Sequence, residues 1–382
     1  MNNMDLIKTP SSDFKFILGN HAVAEGAIAA GCRFFAGYPI TPASEIAERI
    51  SERMPEVGGR FIQMEDELGS IYATIGASLA GVKAMTATAS AGYNYMQEGI
   101  GYAIATETPI VIVNVMRLRG AEQATQSDIM QARWSASGDH EMIVLAPSSV
   151  QELFDYTIEA FNLSEKYRNP VIILSEMTLS LMRENIKIPD PSEVDIVNRK
   201  RPTVPPDEFL PFDAGDDGIP PMSSFGDGYR VLYTLNPHDK RGMITGDLDI
   251  YDDLYRRITG KIQRAVDDIV RYEKFYMDDA DCAVIAYGSE ARSALEAVRR
   301  ARDEGLKVGL LKLVTVWPFH DELIRDIAEQ VKKIVVPEMN VGKYVGEVKR
   351  ASDCLAEVVS LPLNKGRMHT SAEILSGIKG GA

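Results

Sequence analysis

Only three cysteines occur among the 382 residues. Cys32, Cys282 and Cys354 lie far apart and form no CxxC pair and no zinc or iron–sulfur spacing, so cluster chemistry would have to sit on another chain. No uninterrupted run of about 18 apolar residues occurs, which excludes a spanning helix, and the opening MNNMDLIKTPSSD has no apolar signal core. No GxGxxG opens a helix and no GxxxxGK[ST] is present, which removes the dinucleotide and nucleoside-triphosphate fingerprints. The five histidines, His21, His140, His238, His320 and His369, fall at no metal-ligating spacing. Basic residues are in deficit, 41 against 55 acidic, for a net charge of −14. That argues against nucleic acid and anionic membrane as partners. A cytoplasmic protein is the expectation.

What is present is an ordinary globular balance, 45% hydrophobic and 25% charged, over a length sufficient for two or three domains. Residues 14–185 alternate helix and strand signals. The strand runs CRFFAG, KAMTATA, PIVIVNVM, MIVLAP and PVIILSE are apolar on both faces, as strands of a parallel sheet covered on both sides must be. This predicts a doubly wound α/β domain. Residues 186–280 are rich in Pro and Asp at first and read as an extended linker, with a helical stretch over 248–278. Residues 281–380 read as a smaller α/β domain.

Three polar stretches follow strands. GYPITP (37–42) joins a strand to a helix, with Pro39 and Pro42 stiffening the turn. Thr41 as N-cap before Pro42 would explain it structurally, but ligands bind at the carboxyl ends of such strands, so Tyr38 and Thr41 are also site candidates. In MEDE (64–67), Glu65, Asp66 and Glu67 complement a helix dipole, or one of them reaches a ligand. In VMRLRGAEQ, Arg117 and Arg119 are solvated loop charges, or they clamp a carboxylate with a planar guanidinium fork. ATASAGYN (87–94) could cradle an anion on a helix N-terminus or pack closely. GDG (226–228) follows no buried strand and has no asparagines after it in IYDDLYR, so it reads as a turn.

The stretches AGCRFFAGYPITPASEIAE, FIQMEDELGSI, QSDIMQARW, GDHEMIVLAPSSVQE, EAFNLSEKYRNPVIILSE and VPEMNVGKYVGEVKR, with GIPPMSSFGDGYR and HDKRG in the linker, resemble one family over nearly the whole chain. They are similar to the alpha subunits of 2-oxoacid:ferredoxin oxidoreductases, specifically the 2-oxoglutarate type, 2-oxoglutarate synthase. The resemblance implies a thiamine-diphosphate pyrimidine-type domain and a transketolase-C-like domain. It implies oxidative, reversible decarboxylation of a 2-oxoacid with coenzyme A, electrons passing through [4Fe–4S] clusters to ferredoxin. A beta subunit would share the thiamine diphosphate and hold Mg2+ and a cluster, and gamma and ferredoxin-like subunits would complete the assembly. By the same resemblance Glu67 shares a proton with the aminopyrimidine ring, a general acid–base role. Thr41 lines the substrate and cofactor pocket, with Tyr38 on the substrate side and Pro39 and Ile40 on the cofactor side. Arg117 pairs with the substrate's 1-carboxylate, and Arg119 is the candidate for a distal carboxylate.

The chain departs from the family at two loops. It reads TASAGYN where 2-oxoglutarate enzymes read TSGPG, and a shorter RLRGAEQATQS where they read RGGPSTGxPT. A branched-chain 2-oxoacid or pyruvate is therefore the alternative substrate. A non-catalytic scaffold or regulatory paralogue is the alternative of another class.

Overall fold

The computed structural model describes residues 14–120 and 123–380. The chain opens with β1 (Phe14–Leu18), a helix (Gly19–Ala29) and β2 (Phe34–Gly37). A helix (Ser44–Arg53) leads to β3 (Arg60–Gln63), a second (Glu67–Leu79) to β4 (Ala84–Ala89), and two short ones (Ser90–Tyr95, Gln97–Ala105) to β5 (Val111–Met116). Then come β6 (Ile143–Leu145), the long helix Val150–Tyr167, β7 (Val171–Glu176) and β8 (Arg183–Lys187). After the helix Leu248–Gln263, the chain forms β9 (Tyr272–Phe275), β10 (Cys282–Tyr287), the helix Glu290–Asp303, β11 (Val308–Leu313) and β12 (Thr315–Trp317). The helix Asp321–Gln330, β13 (Lys333–Glu338), the helix Val345–Ser352, β14 (Glu357–Pro362) and the helix Ser371–Lys379 follow.

Two larger open sheets result, besides an antiparallel β1–β8 pair. The first has the order β12-β6-β7-β5-β4-β2-β3, parallel except for β12. The second has the order β14-β13-β10-β11-β9, parallel except for β9. β4, β5 and β7 are buried along their whole length, as their unbroken apolar runs require of central strands. The small-residue helix Gly19–Ala29 lets a neighbour approach closely. A Cβ on Gly26 would stand 2.5 Å from the Phe154 carbonyl oxygen of the helix Val150–Tyr167. The α/β expectation therefore holds, with a parallel-dominated sheet in each half.

Two local expectations are corrected, and one crossing between sheets is added. Thr41 is not an N-cap: the helix starts at Ser44 with Ala43 before it, and no side chain caps it. The turn is held instead by Asn20, whose Nδ2 donates to the Pro42 carbonyl (2.7 Å) and to Glu45 Oε2 (2.8 Å), and the Thr41–Pro42 peptide is cis. The stretch 248–278 is not helical throughout. It ends in β9, a largely exposed edge strand (YEKF) paired antiparallel to β11. The run around KVGLLKLVTVW divides between two sheets: β11 stays in the second and β12 crosses to the first, pairing antiparallel with β6.

The stretch between β8 and the helix Leu248–Gln263 has no regular element beyond a single short turn, Pro191–Glu193. Buried charge ties it down. Arg199 and Glu165 form an ion pair of 2.5 Å, each about 4% exposed at the side chain. Fully buried Glu107 accepts from Lys261 Nζ (2.7 Å) and from Arg257 (2.7 and 2.9 Å) on the helix Leu248–Gln263.

Candidate active site

The carboxyl ends of β2, β3, β4 and β5 are adjacent, and each delivers one of the polar stretches. β2 ends in the Tyr38–Pro42 turn, β3 in Glu65–Glu67, β4 in Ser90–Gly92 and β5 in Arg117. A cleft of about 500 Å³ lies among the first three, lined by Tyr38, Ile40, Glu65, Asp66, Glu67, Leu68, Ala91, Gly92 and Tyr95.

The three acids of MEDE do three different things. Glu65 is exposed. Asp66 is the N-cap of the helix Glu67–Leu79, its Oδ1 accepting from Gly69 N–H at 2.7 Å. Glu67 is buried, 6% exposed, and its side chain forms no hydrogen bond or ion pair with any described residue. Its Oε1 lies against the Cα of Gly92. A Cβ there would clash with both Glu67 Oε1 and Thr88 Oγ1. Glycine at 92 is thus what lets the carboxylate sit in the cleft. The small residues of ATASAGYN serve this close approach, the second of the two readings open for them.

Tyr38 and Ile40 line the cleft with Glu67. Pro39 and Thr41 belong to the same turn and are exposed, but do not line the cleft. Arg117 lies at the end of β5, half-buried, and its backbone N–H donates to Ser90 Oγ at 3.1 Å. The chain then folds back: Leu118 N–H donates to the Gln123 carbonyl at 2.8 Å and Arg117 bridges antiparallel to Ala124. Arg119 stands exposed on this loop. The structure thus brings Tyr38, Ile40 and Glu67 into one cleft and sets the arginines on the neighbouring loop. Leu68, Gly92 and Tyr95 were not singled out from the sequence. Gly92 alone had a signal, its place in a small-residue run before a helix.

The GDG stretch is a turn. Gly226 and Gly228 take positive φ (97° and 87°), and Asp227 accepts from Ser224 N–H (2.9 Å) and Arg201 (3.3 Å). Among the described residues no group of His, Cys, Asp and Glu could hold a metal ion, and no helix is long and apolar enough to cross a membrane.

Comparison with known proteins decides the family. Residues 25–256 match the thiamine-diphosphate-binding domain of pyruvate flavodoxin/ferredoxin oxidoreductases, and residues 280–374 match core domain II of pyruvate:ferredoxin oxidoreductase. This chain belongs to the pyruvate flavodoxin/ferredoxin oxidoreductase family. Among the relatives, 2-oxoglutarate synthase subunit KorA of Methanothermobacter marburgensis is 50% identical over 96% of this chain and 98% of its own length. The KorA subunit of Methanocaldococcus jannaschii is 46% identical over 96% and 99%. Ketoisovalerate oxidoreductase subunit VorB of Methanothermobacter thermautotrophicus is 35% identical over 89% and 90%. The 2-oxoglutarate:ferredoxin oxidoreductase of Magnetococcus marinus, solved with 2-oxoglutarate, coenzyme A and succinyl-CoA bound, superposes with a TM-score of 0.90 at 30% identity, over 98% of this chain and 67% of that one.

The residues of the cleft fit the pyrimidine half of the family's thiamine diphosphate. Glu67 has no side-chain partner among the described residues and opens onto the cleft beside Tyr38, Ile40 and Tyr95, so a ligand seated there supplies the hydrogen-bond partner that the protein does not.

Proposed function

We propose that this chain is the alpha subunit of a thiamine-diphosphate-dependent 2-oxoglutarate:ferredoxin oxidoreductase. With coenzyme A, the assembled enzyme converts 2-oxoglutarate reversibly to succinyl-CoA and carbon dioxide and passes two electrons to ferredoxin. Glu67 carries this reading: a lone buried carboxylate held against Gly92, at the strand ends where α/β sheets bind ligands.

Thiamine diphosphate, when bound, supplies the nucleophilic carbon and the electron sink for decarboxylation. The chain's own residues do the rest. Glu67 holds and returns a proton at its carboxylate, facing the ring nitrogen of the aminopyrimidine. Tyr38 and Ile40 wall the cleft and exclude water, with Pro39 and Thr41 completing the turn that holds them. Arg117 binds the 1-carboxylate of the oxoacid and Arg119 its distal carboxylate, the task for which a guanidinium is suited. The domains at work are a pyrimidine-type unit over 14–185, a connecting stretch over 186–280 and a transketolase-C-like unit over 281–380. Mg2+ and [4Fe–4S] clusters reside on partner chains, a beta subunit with gamma and ferredoxin-like subunits, in the cytoplasm.

The similarity to a ketoisovalerate oxidoreductase subunit, together with the shortened loop, supports a second reading: the same chemistry on a branched-chain 2-oxoacid. The natively purified complex, assayed without air for coenzyme-A-dependent viologen reduction, separates the two. Preference for 2-oxoglutarate over 2-oxoisovalerate and pyruvate is expected. Arg119→Ala is expected to raise the KM for 2-oxoglutarate about tenfold, the loss of one charged hydrogen-bonding partner, and to spare a monocarboxylate. Equal losses on both substrates would remove Arg119 from the site, and preference for 2-oxoisovalerate would favour the second reading.

A further inference from the structure

The second sheet has its own switch point. From β10 the chain goes to β11 on one side and to β13 on the other, and the crevice beyond such a pair of strands is where an open α/β unit ordinarily takes a ligand. Here that crevice is occupied from within the molecule. Gln126, fully buried and only a few residues past the Arg117 loop, reaches into it. Its Nε2 donates to the Tyr287 carbonyl at the end of β10 (3.0 Å) and to Glu176 Oε1 at the end of β7 (2.8 Å). Its Oε1 accepts from Met339 N–H after β13 (3.1 Å), and its backbone N–H donates to the Met339 carbonyl (2.9 Å). Asn340 Nδ2 donates to the Gln126 carbonyl (3.1 Å), and Thr125 Oγ1 donates to Met339 O (3.0 Å).

Both amide atoms of Gln126 are therefore satisfied by partners from two sheets. The joint has no room to slide. Gly288, at φ +57°, borders it, and a Cβ there would stand 2.9 Å from Gln126 Nε2 and closer still to Glu176 Oε1. The consequence falls on the Arg117 loop. One limb is fixed by β5 and by Ser90, and the other runs straight into Gln126. A loop fixed at both ends gives up less conformational entropy when its arginines are arranged on a ligand than a loop fixed at one.

We infer that Gln126 is a positioning residue for the oxoacid: through it the C-terminal unit holds the return limb of the Arg117–Arg119 loop, so that oxoacid affinity depends on a contact remote from the cleft. This rests on the proposed function in taking that loop to be the one that binds the oxoacid. The test uses the assembled complex. Gln126→Ala is expected to raise the KM for 2-oxoglutarate about tenfold while kcat and the KM for coenzyme A stay within about twofold. Thr125→Val, which keeps shape and deletes the bond to the Met339 carbonyl together with the local one from Ser127 N–H, is expected to move the same KM in the same direction by about threefold. Hydrogen exchange at the Arg117 and Leu118 amides should quicken in both variants while the amides of β5 stay protected.

Unchanged exchange at those amides overturns the inference, as does a wild-type KM in both variants. Matching losses on 2-oxoglutarate, coenzyme A and thiamine diphosphate would reduce Gln126 to a structural role. If Gln126→Ala does not assemble, Thr125→Val decides. If the wild-type complex turns over no 2-oxoglutarate, the functional reading fails and takes the substrate role of the loop with it. The exchange result still decides whether Gln126 anchors the loop.

Discussion

Glu67 and its neighbour Asp66 show how little separates a cap from a catalytic group. Adjacent acids at the start of one helix point to opposite fates: Asp66 satisfies the helix N-terminus, while Glu67 turns inward against Gly92. Their order in sequence does not decide which is which. A Cβ-free residue two strands away does. Two substitutions test this. Glu67→Gln should lower viologen-reducing turnover by about 10²–10⁴-fold, the range for a positioned acid–base group, with the complex still assembling on size exclusion. Gly92→Ala should lower turnover in the same direction without replacing any titratable group, because the added methyl displaces the Glu67 carboxylate. Near-normal turnover in either variant would remove Glu67 from the chemistry.

At the scale of elements, the helix Leu248–Gln263 is joined to the rest of the chain by an apolar stripe, Leu254, Ile258 and Ile262, and by buried charge. Glu107, at φ +50° on the turn before β5, is fully buried and faces Lys261 and Arg257, with the Arg168 side chain donating to its carbonyl at 3.0 Å. Burial alone would raise its carboxyl, but the Lys261 and Arg257 cations overcome that and hold it well below the usual carboxylate range. Glu107→Gln would leave buried cations without an anion. Breaking a buried pair in this way costs about 3–5 kcal/mol, a loss readable as a lower urea midpoint. Glu107→Gln with a wild-type midpoint would show that the cluster carries no net stability. The amphipathic pattern of this helix is legible in sequence. The charge cluster that seats it is not, because Lys261 and Glu107 are 154 positions apart.

Across the whole molecule the two units are interleaved rather than strung in series. β12 leaves the C-terminal unit to extend the first sheet beside β6, and Trp317 donates from Nε1 to the Ile129 carbonyl at 2.9 Å while packing edge-on against Trp134 and Tyr344. Gln126 and Glu176 occupy the second unit's switch point from the other side. Glu176 makes this interface pH-sensitive. Burial raises its carboxyl from 4.5 to about 7, against hydrogen bonds from Gln126 and Ser289 that favour the charged form, and nearby Glu290 adds to the rise. The folded chain therefore keeps a proton that the unfolded chain releases between those two values, so folding stability falls as pH rises through the window and levels off above it. Glu176→Gln, which retains both acceptor contacts through Oε1, should flatten that slope. Its stability relative to wild type should improve by on the order of 3 kcal/mol between pH of about 5 and about 8, measured by urea denaturation at each pH. Parallel pH curves for the two proteins would mean that Glu176 is already ionised when buried.

The amino-acid sequence by itself determined the alternation of strands and helices along most of the chain and the parallel character of the first sheet's central strands. Runs such as PIVIVNVM and PVIILSE are apolar on both faces, and only a doubly covered sheet buries both. It also determined the family and the candidate turns, because GYPITP, MEDE and VMRLRG are local and specific. Only the tertiary structure decided that Glu67 is buried while Asp66 caps the helix, that Asn20 rather than Thr41 secures the GYPITP turn, that β12 crosses between sheets, and that Gln126 joins them. Each of these outcomes is a contact between residues far apart in the chain, settled by packing and hydrogen-bond satisfaction, whereas periodicity reports only on neighbours.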